Sequence, residues 1–441
     1  MKNKVLLSIL LLTTTIISAQ QTTISYWGKT TNKKSEGHFI DGKEQSTWIY
    51  WYQNGNKWCE GSFDKGQKIG LWKFWYEEGS KWMENYIDSG INITFYKNGK
   101  KEKEGMVVNF KKQGKWSQWY ENGSLKETSV FVNGLKDGIS KMWFPNETLQ
   151  FEGKYKNDML QGYALWYYNN GYKEMEGKSI DDLQDSIWVF YNSNGKIGST
   201  GRFINGLQEG EWIYYYETGE LWKKGSFSEN LRQGIWTAWY EDGTKEREGS
   251  FKQDKENGLW TSWWNNGKIK DEGVFNMGEL NGDWKGWHYY GKQKYINQYL
   301  NGKKNGTSKY WYEGGKPLSD EIYSEGMKNG VCTRWYETGF VQEKGTYKND
   351  IKDGKWVFYD IYGVIVKEEF FNNSKPDGKW TEYHQNGKKK AEGSYRNFYK
   401  EGKWTYWDKN GIIVYQALYK NNVKVKVLKN LREEEDLKNK K

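Results

Sequence analysis

Residues 234–257 read Gly-Ile-Trp-Thr-Ala-Trp-Tyr-Glu-Asp-Gly-Thr-Lys-Glu-Arg-Glu-Gly-Ser-Phe-Lys-Gln-Asp-Lys-Glu-Asn, and this pattern returns along almost the whole 441-residue chain. The position of Trp239 is aromatic in seventeen successive units, which are spaced by 24 residues apart from one unit that is four residues shorter. A fixed period of this length predicts a repeat architecture, in which each unit buries its apolar face against its neighbours. The column comprises Trp27, Trp51, Trp75, Phe95, Trp119, Trp143, Tyr167, Tyr191, Tyr215, Trp239, Trp263, Trp287, Trp311, Trp335, Tyr359, Tyr383 and Trp407.

The 24-residue unit has the pattern of a β-hairpin. The aromatic and threonine-rich segment from Trp236 to Tyr240 favours a strand, and a second strand is predicted over 244–251. Between them lies Asp242-Gly243, and other units carry Asn-Gly, a pair that supplies the positive φ angles of two-residue hairpin turns. A polar loop then leads to the next unit. The predicted fold class is all-β: an elongated single antiparallel sheet of stacked β-hairpin repeats, with about 17 units of 24 residues.

Two further aromatic columns repeat with the same period. A tryptophan stands two residues after the opening glycine of many units, and a phenylalanine or tyrosine stands on the return strand, as Phe251 does. Because offsets of two and five residues have opposite parity, Trp236 and Trp239 point to opposite faces of a regular strand, or a bulge lies between them. Rings exposed in a groove would form a binding surface, whereas the alternative is that they are the only core of the protein. The candidate binding residues are Trp116, Trp188, Trp212, Trp236, Trp260, Trp284, Trp356, Trp380 and Trp404.

The composition also favours a core made of rings. Trp, Tyr and Phe make up 18% of the chain, aliphatic residues are scarce, and only three prolines occur, which suits long paired strands. Cys59 and Cys332 lie twelve units apart, or about 100 Å along a stack, which excludes a disulfide between them. Lysine and glutamate alternate within units and form no basic arm or stripe, so no nucleic-acid partner is predicted.

The N-terminus has the pattern of a secretory signal. Lys2 and Lys4 precede an apolar run of about 13 residues, and Ile17-Ser18-Ala19 fits a cleavage site. The run is shorter than the roughly 20 residues that a membrane-spanning helix needs. The predicted organisation is a signal peptide over 1–19, a repeat array over 20–425 and a charged C-terminal tail over 426–441. The predicted location after cleavage near Ala19 is secreted, periplasmic or in the cell envelope.

Two motifs recur within the units. Residues 114–123 read Gly-Lys-Trp-Ser-Gln-Trp-Tyr-Glu-Asn-Gly, and residues 392–395 read Glu-Gly-Ser-Tyr. Together they resemble the MORN repeat, in the variant found in YwqK-type antitoxins, and the resemblance covers about residues 22–425. It implies a long, twisted, hairpin-by-hairpin sheet that acts as a scaffold or binding surface and has no shared catalysis. A toxin or effector is one bound partner that the resemblance implies.

The sequence offers no catalytic, cofactor or metal site. Its three histidines, His38, His288 and His384, lie in distant units, and it contains no phosphate-binding or calcium-binding loop. Carboxylates do recur before the second-strand glycine, but a feature repeated in many units is typical of a structural ladder rather than of a singular active site. We therefore predict no enzyme activity, no cofactor and no metal.

The predicted function is that of an exported, non-enzymatic scaffold that binds another protein. The alternative is a glycan-binding envelope protein that uses the tryptophan column. Contact with a membrane surface through lysines is a third hypothesis, which requires a one-sided basic face. Interruptions of the tryptophan column are candidate bends or partner sites; they lie at Asn92, Ser140, Ala164, Ser308 and Cys332.

Overall fold

The computed structural model describes residues 21–431. Its strands form an antiparallel sheet, and no helix lies between residues 21 and 430. The chain divides into two compact units, Met1–Leu207 and Gln208–Lys441. The first unit contains β1 (Gln21–Tyr26), β2 (Lys33–Ile40), β3 (Lys43–Trp51), β4 (Lys57–Asp64), β5 (Gln67–Trp75), β6 (Lys81–Tyr86), β7 (Gly90–Phe95), β8 (Lys101–Val108), β9 (Lys111–Trp119), β10 (Leu125–Val132), β11 (Leu135–Trp143), β12 (Leu149–Lys156), β13 (Met159–Leu160), β14 (Gly162–Tyr167), β15 (Lys173–Ile180), β16 (Leu183–Tyr191) and β17 (Ile197–Ile204).

The next strand begins at the last residue of the first unit and otherwise lies in the second. The series from there is β18 (Leu207–Tyr215), β19 (Leu221–Ser228), β20 (Leu231–Trp239), β21 (Lys245–Lys252), β22 (Lys255–Trp263), β23 (Ile269–Asn276), β24 (Glu279–Trp287), β25 (Gln293–Leu300), β26 (Lys303–Trp311), β27 (Pro317–Ser324), β28 (Met327–Trp335), β29 (Val341–Lys348), β30 (Ile351–Tyr359), β31 (Ile365–Asn372), β32 (Lys375–Tyr383), β33 (Lys389–Arg396), β34 (Tyr399–Trp407), β35 (Ile413–Lys420) and β36 (Val423–Asn430).

Within each unit, every strand pairs antiparallel with the strand before it and the strand after it in the chain. In the second unit β20 pairs with β19 and β21, for example, and the same holds from β19 to β35. In the first unit the one departure is β13, a two-residue strand that pairs with the end of β12 while β14 pairs with the same strand further along. The predicted all-β class and its hairpin-by-hairpin antiparallel order are therefore confirmed.

The hairpin of β20 and β21 shows how the unit closes at its first turn. Tyr240 N donates to Thr244 O at 2.8 Å, and Gly243 N donates to Tyr240 O at 2.9 Å, which leaves a three-residue loop. Only Gly243 in this loop has a positive φ, of 84°. This is a type I turn followed by a left-handed glycine rather than a two-residue turn. The prediction of a two-residue turn at Asp-Gly and Asn-Gly is wrong, because a single residue here needs positive φ.

The two-residue turn lies instead at the segment predicted as a polar loop. Gln253 and Asp254 both have positive φ, of 50° and 68°, which is the geometry of a tight hairpin turn between β21 and β22. β21 and β22 therefore run up to this turn on both sides, and they are longer at this end of the hairpin than the sequence predicts.

The register between β20 and β21 shows whether Trp236 and Trp239 lie on the same face of the sheet or on opposite faces. Trp236 pairs with Gly249 and Trp239 pairs with Lys245, and the register shifts just before Trp239 so that Glu246 is the extra residue. The bulge lies on the return strand, so the first strand runs on regularly and its two tryptophans lie on opposite faces. We call the face that carries Trp236 and its equivalents the tryptophan face, and the face that carries Trp239 and its column the ladder face.

The chain ends bear on the predicted organisation. The predicted signal peptide, 1–19, lies outside the described residues. β36 pairs with β35 and continues to Asn430, five residues into the segment assigned to the charged tail, and residues 432–441 again lie outside the described part.

Candidate functional site

The nine candidate binding tryptophans all lie on the tryptophan face, and most are inaccessible. Six are between 0 and 8% exposed: Trp188, Trp212, Trp236, Trp260, Trp356 and Trp404. The other three, Trp116, Trp284 and Trp380, are half-buried. A buried ring presents no face to a ligand, so these six side chains form the core of their hairpins. A binding role for the column stays a prediction, and only the three half-buried rings reach solvent.

Five of the six buried indoles, those of Trp188, Trp236, Trp260, Trp356 and Trp404, pack on a glycine of the preceding hairpin. Trp260 lies flat on Gly249, where an added methyl group would lie 2.1 Å from the ring. The Trp260 indole N–H donates to Ser250 O at 3.1 Å, and the Phe251 ring meets the indole edge-on with the centroids 5.0 Å apart. Trp236 makes the same hydrogen bond to Ser226 O. The Glu-Gly-x-Phe motif is thus the seat on which the next hairpin's tryptophan packs.

The ladder face carries a half-buried ring in every unit, with a lysine above it in many. Lys245 Nζ lies 2.8 Å from Glu248 Oε2 and 5.4 Å from the centroid of the Trp263 ring. The hydrogen bond from Lys245 holds the pKa of the Glu248 carboxyl below its ordinary value. The same arrangement begins at Lys33, Lys57, Lys81, Lys101, Lys173 and Lys389. In these seven units a lysine thus lies over a ring of the ladder face, and each ring stays half-buried.

Two of the three histidines have a structural place in the turns. Tyr240 OH donates to Trp263 O at 2.9 Å, a bond that joins neighbouring turns in many units. His288 and His384 occupy the same position, with Nε2 at 3.0 and 3.1 Å from the carbonyl of the next turn. Among residues 21–431 no group of three or more His, Cys, Asp or Glu side chains could hold a metal ion. In the same range no helix is long and apolar enough to cross a membrane.

Three interruptions of the tryptophan column are filled locally. Ser140 replaces the tryptophan and Ser129 replaces the glycine beneath it, and their buried hydroxyls lie 2.7 Å apart. Ala164 leaves space that Leu160, itself buried, helps to fill. Asn92 Oδ1 accepts a hydrogen bond of 2.6 Å from a peptide N–H of the neighbouring strand. Loss of the tryptophan is therefore accompanied by local compensation in each case.

The remaining two interruptions place polar groups in the core of the second unit. Ser308 pairs with Asn297, which stands where other units have glycine, and both side chains are buried. The Ser308 hydroxyl and the Asn297 carbonyl oxygen have no hydrogen-bond partner among the described residues.

In the next hairpin Cys332 pairs with Glu321, and both are buried. Lys328 Nζ lies 2.9 Å from the Glu321 carboxylate, and Tyr323 OH donates to it at 2.7 Å. Burial alone would raise the pKa of the Glu321 carboxyl, but the hydrogen bonds from Lys328 and Tyr323 outweigh burial and hold that pKa below its ordinary value. Burial raises the pKa of the Cys332 thiol, so the thiol stays protonated at neutral pH and is a poor nucleophile.

A surface that the sequence analysis missed lies on the ladder face of the first unit. Ile139, Tyr163 and Ile187 each precede the tryptophan position of their hairpin, and Leu135, Met159 and Leu183 each follow a two-residue turn of the same hairpins. We call these six side chains the apolar patch; they are between 38 and 58% exposed. The sequence does carry the signal, because the residue before the tryptophan position, taken at 24-residue steps, is Ile139, Tyr163 and Ile187 in succession.

Comparison with known proteins identifies the repeat. The MORN repeat variant matches residues 112–133, 136–157, 208–229, 232–253, 256–277, 328–349, 376–397 and 400–421. Each matched segment corresponds to one hairpin, as 232–253 does to β20 and β21. No curated protein matches the chain.

Some solved structures give matches of low similarity. A crystal structure of TcdB2-TccC3 is 9% identical over 90% of this chain and 24% of that chain, with a TM-score of 0.15. A Photorhabdus luminescens Tc holotoxin pore is 7% identical over 91% of this chain and 30% of that chain, with a TM-score of 0.13. The chain thus spans under a third of the length of these proteins, and such scores support no conclusion about fold or function. Eight hairpins of this chain match the MORN repeat variant, so the chain contains MORN repeats.

Proposed function

We propose that this MORN-repeat protein is an exported scaffold that binds another protein and catalyses no reaction. The observation that carries the proposal is the apolar patch, in which three successive hairpins of the first unit expose large apolar side chains on one face. Contiguous exposed apolar surface on a soluble domain marks interaction sites, because burying it in a complex is favourable. A repeat array with such a face is suited to holding a partner along several hairpins.

The absence of catalysis is part of the proposal. The most enclosed acid near a thiol is Glu321, and its carboxylate is already occupied by Lys328 and Tyr323. A carboxylate held in this way is a poor general base, since its lowered pKa leaves little tendency to take a proton. We propose no cofactor and no metal for the chain.

The proposal also includes export of the chain and the kind of protein that it binds. The basic residues, apolar run and Ala19 site of the N-terminus support export to the periplasm, the cell envelope or the medium. The resemblance to YwqK-type antitoxins supports a toxin or effector as the bound protein. Glycan binding is the alternative, and its support is reduced to the half-buried Trp116, Trp284 and Trp380.

The test is capture with matched variants. The purified chain is immobilised and exposed to the envelope and secreted fractions of the source cells, beside a variant with Ile139→Glu, Tyr163→Glu and Ile187→Glu. Val331→Glu is the control, because Val331 holds the same repeat position in the second unit and is also exposed. We expect one protein to be enriched by the wild type and the control and lost from the triple variant. A partner retained by the triple variant, or no enriched protein, would refute the proposal.

The glycan alternative makes a different prediction. A panel of polysaccharides would shift the tryptophan fluorescence of the wild type, and Trp116→Ala or Trp380→Ala would reduce that shift. We expect no shift with any polysaccharide, since the other six rings of the column are buried.

A further inference from the structure

A second ring packs on the tryptophan face in many hairpins, two residues after the tryptophan. Tyr214 lies between Trp212 of its own hairpin and Trp236 of the next, with ring centroids 6.0 and 6.3 Å apart. Rings at the same repeat position, 5.9–6.3 Å from the tryptophan of their own hairpin, are those of Tyr50, Phe74, Phe190, Phe358 and Tyr406. The place between two successive tryptophans is therefore suited to an aromatic ring.

Three successive hairpins of the second unit have no ring at this position. The residues there are Ala238, Ser262 and Gly286. The return strand fills two of the three places. Beside Ala238, the Arg247 guanidinium lies over the Trp260 ring, 4.1 Å from its centroid. Beside Gly286, the ring of Tyr295 lies against the glycine.

The third place, beside Ser262, is open. A cavity of about 280 Å³ lies there, and its lining includes Arg247, Trp260, Ser262, Asp271, Phe275 and Trp284. Trp260 is buried, so the half-buried Trp284 supplies the accessible indole surface. A cavity of about 150 Å³ is enough to hold benzene. The cavity beside Ser262 therefore has room for one ring with its substituents, and the rest of a larger ligand stays outside.

The wall of the cavity also carries an acceptor for a hydroxyl group. The Asp271 carboxylate accepts hydrogen bonds from Ser262 Oγ, at 3.2 Å, and from Tyr295 OH. A carboxylate has about four lone-pair sites, so capacity for another donor remains. Tyrosine hydroxyls donate to carboxylates elsewhere in this chain, as Tyr323 does to Glu321 at 2.7 Å. A ring that bears a hydroxyl thus matches the cavity better than a plain phenyl ring.

We propose that this cavity binds a tyrosine side chain of a protein ligand. The phenol ring occupies the place that other hairpins fill with their own Phe or Tyr, and its hydroxyl donates to Asp271. The Arg247 guanidinium in the wall adds a cation–π contact to the bound ring. An aromatic side chain that fills a preformed pocket is a common anchor of a protein interface. The inference rests on the proposed function of binding protein and adds an anchoring residue of the ligand.

The experiment uses N-acetyl-tyrosinamide as the probe, beside N-acetyl-phenylalaninamide and N-acetyl-leucinamide. Binding of each probe to the purified chain is measured by saturation-transfer difference NMR, which detects weak binding to a large protein. We expect the tyrosine probe to bind and the leucine probe not to bind. The phenylalanine probe should bind about fivefold more weakly than the tyrosine probe, because it lacks one hydrogen bond.

The variants fill the cavity or change its acceptor. Ser262→Phe restores the ring that other hairpins carry, so it should abolish binding of the tyrosine probe and raise the urea midpoint of unfolding. Glu382→Phe is the control, since it adds the same ring at the same repeat position where Trp380 and Trp404 already lie in contact, with centroids 5.3 Å apart. It should leave binding unchanged. Asp271→Asn should reduce the preference for tyrosine over phenylalanine.

Three results would overturn the inference. The first is binding of the tyrosine probe that Ser262→Phe retains. The second is equal binding of all three probes. The third is a lower urea midpoint for Ser262→Phe, which would show that the place beside Ser262 does not accept a ring.

Failure of the inference can be told from failure of the proposed function by repeating the capture experiment with Ser262→Phe. A partner that Ser262→Phe captures in full overturns the inference and leaves the scaffold function intact. A partner that Ser262→Phe loses, but that the triple variant of the apolar patch retains, supports the inference and refutes the patch as the binding site.

Discussion

The packing of Trp260 on Gly249 predicts a large effect from a single methyl group. Gly249 has an ordinary extended backbone, so the change Gly249→Ala is opposed by the indole ring alone. The added carbon would lie 2.1 Å from the ring, and real contacts of this kind need about 3.4 Å or more, so the ring must move by more than 1 Å or leave its seat. Either movement also disturbs the indole hydrogen bond to Ser250 O.

The magnitude follows from the two ways in which the structure can respond. A shift of backbone and ring to relieve overpacking costs about 1–3 kcal/mol, and complete loss of a buried tryptophan costs about 3–5 kcal/mol. The lower chain entropy of alanine in the unfolded state offsets roughly 0.4–1 kcal/mol of this. We therefore expect Gly249→Ala to lower the free energy of unfolding by about 1–4 kcal/mol, the lower part of the range if the ring shifts and the upper part if it leaves its place on the glycine.

The assay is urea unfolding followed by circular dichroism, with hydrogen exchange and mass spectrometry to locate the opened hairpins. Gly314→Ala is the matched control, because Gly314 has no left-handed φ and an added methyl group there meets nothing within 4 Å. We expect the control to change stability by less than about 0.5 kcal/mol. Faster exchange should be confined to β20–β23. Equal stabilities of Gly249→Ala and Gly314→Ala would refute the packing argument.

The chain supplies its own double substitution as a further check. Ser129 and Ser140 occupy the equivalent glycine and tryptophan positions in another hairpin and bond to each other. Gly249→Ser and Trp260→Ser should therefore be less destabilising together than the sum of the single changes, by about 1 kcal/mol or more. Strict additivity would mean that the two positions are not coupled.

Three smaller predictions concern polar groups of the second unit. Burial raises the pKa of the Glu321 carboxyl, but the hydrogen bonds from Lys328 and Tyr323 and the nearby positive charges together outweigh burial and leave that pKa lowered in the fold. The ionised carboxylate therefore stabilises the fold above about pH 4.3, the ordinary value, and the contribution is lost as the pH falls through the lowered folded-state pKa. Glu321→Gln should cost about 1–3 kcal/mol at pH 7 and flatten the loss of stability seen by urea unfolding between pH 6 and pH 3. Cys332, whose pKa burial raises, should not react with a disulfide reagent at pH 8 until urea is added, and immediate reaction would contradict its burial. Tyr240→Phe should cost about 0.5–1.5 kcal/mol by losing its bond to the next turn, while Tyr290→Phe, at an exposed ring, should have no effect.

Much of the fold follows from the sequence because the repeat constrains it so tightly. The strand propensity of Trp236 and its neighbours, the turn glycine and the 24-residue period together leave a hairpin array as the consistent reading. The parity of Trp236 and Trp239 stays open from the sequence alone, because a bulge at Glu246 and a bulge between the tryptophans have the same pattern of residues. The turn type is also hidden, since Asp-Gly suits both a two-residue turn and a left-handed glycine after a type I turn.

The candidate site is harder to predict, because burial depends on neighbouring hairpins. In the sequence, a column of tryptophans has the same pattern whether it lines a binding groove or forms a core. The packing of Trp260 on Gly249 shows that this tryptophan belongs to the core. The departure at Ser140 is visible in the sequence, but its pairing with Ser129 appears only in the register of the strands. The apolar patch stayed hidden because its residues precede the aromatic columns rather than belong to them.

The most direct test of the claim that the tryptophan column is a core concerns the indole N–H groups. Eight of them donate to the backbone carbonyl ten residues earlier: Trp48, Trp72, Trp116, Trp188, Trp236, Trp260, Trp356 and Trp404. Exchange of assigned indole signals in D2O, followed by NMR, should leave the seven of these groups other than Trp116 protected, because their rings are buried, while the exposed Trp58 and Trp222 exchange at once. If all indole groups exchanged equally fast, the rings would be open to solvent and the column would be a surface rather than a core.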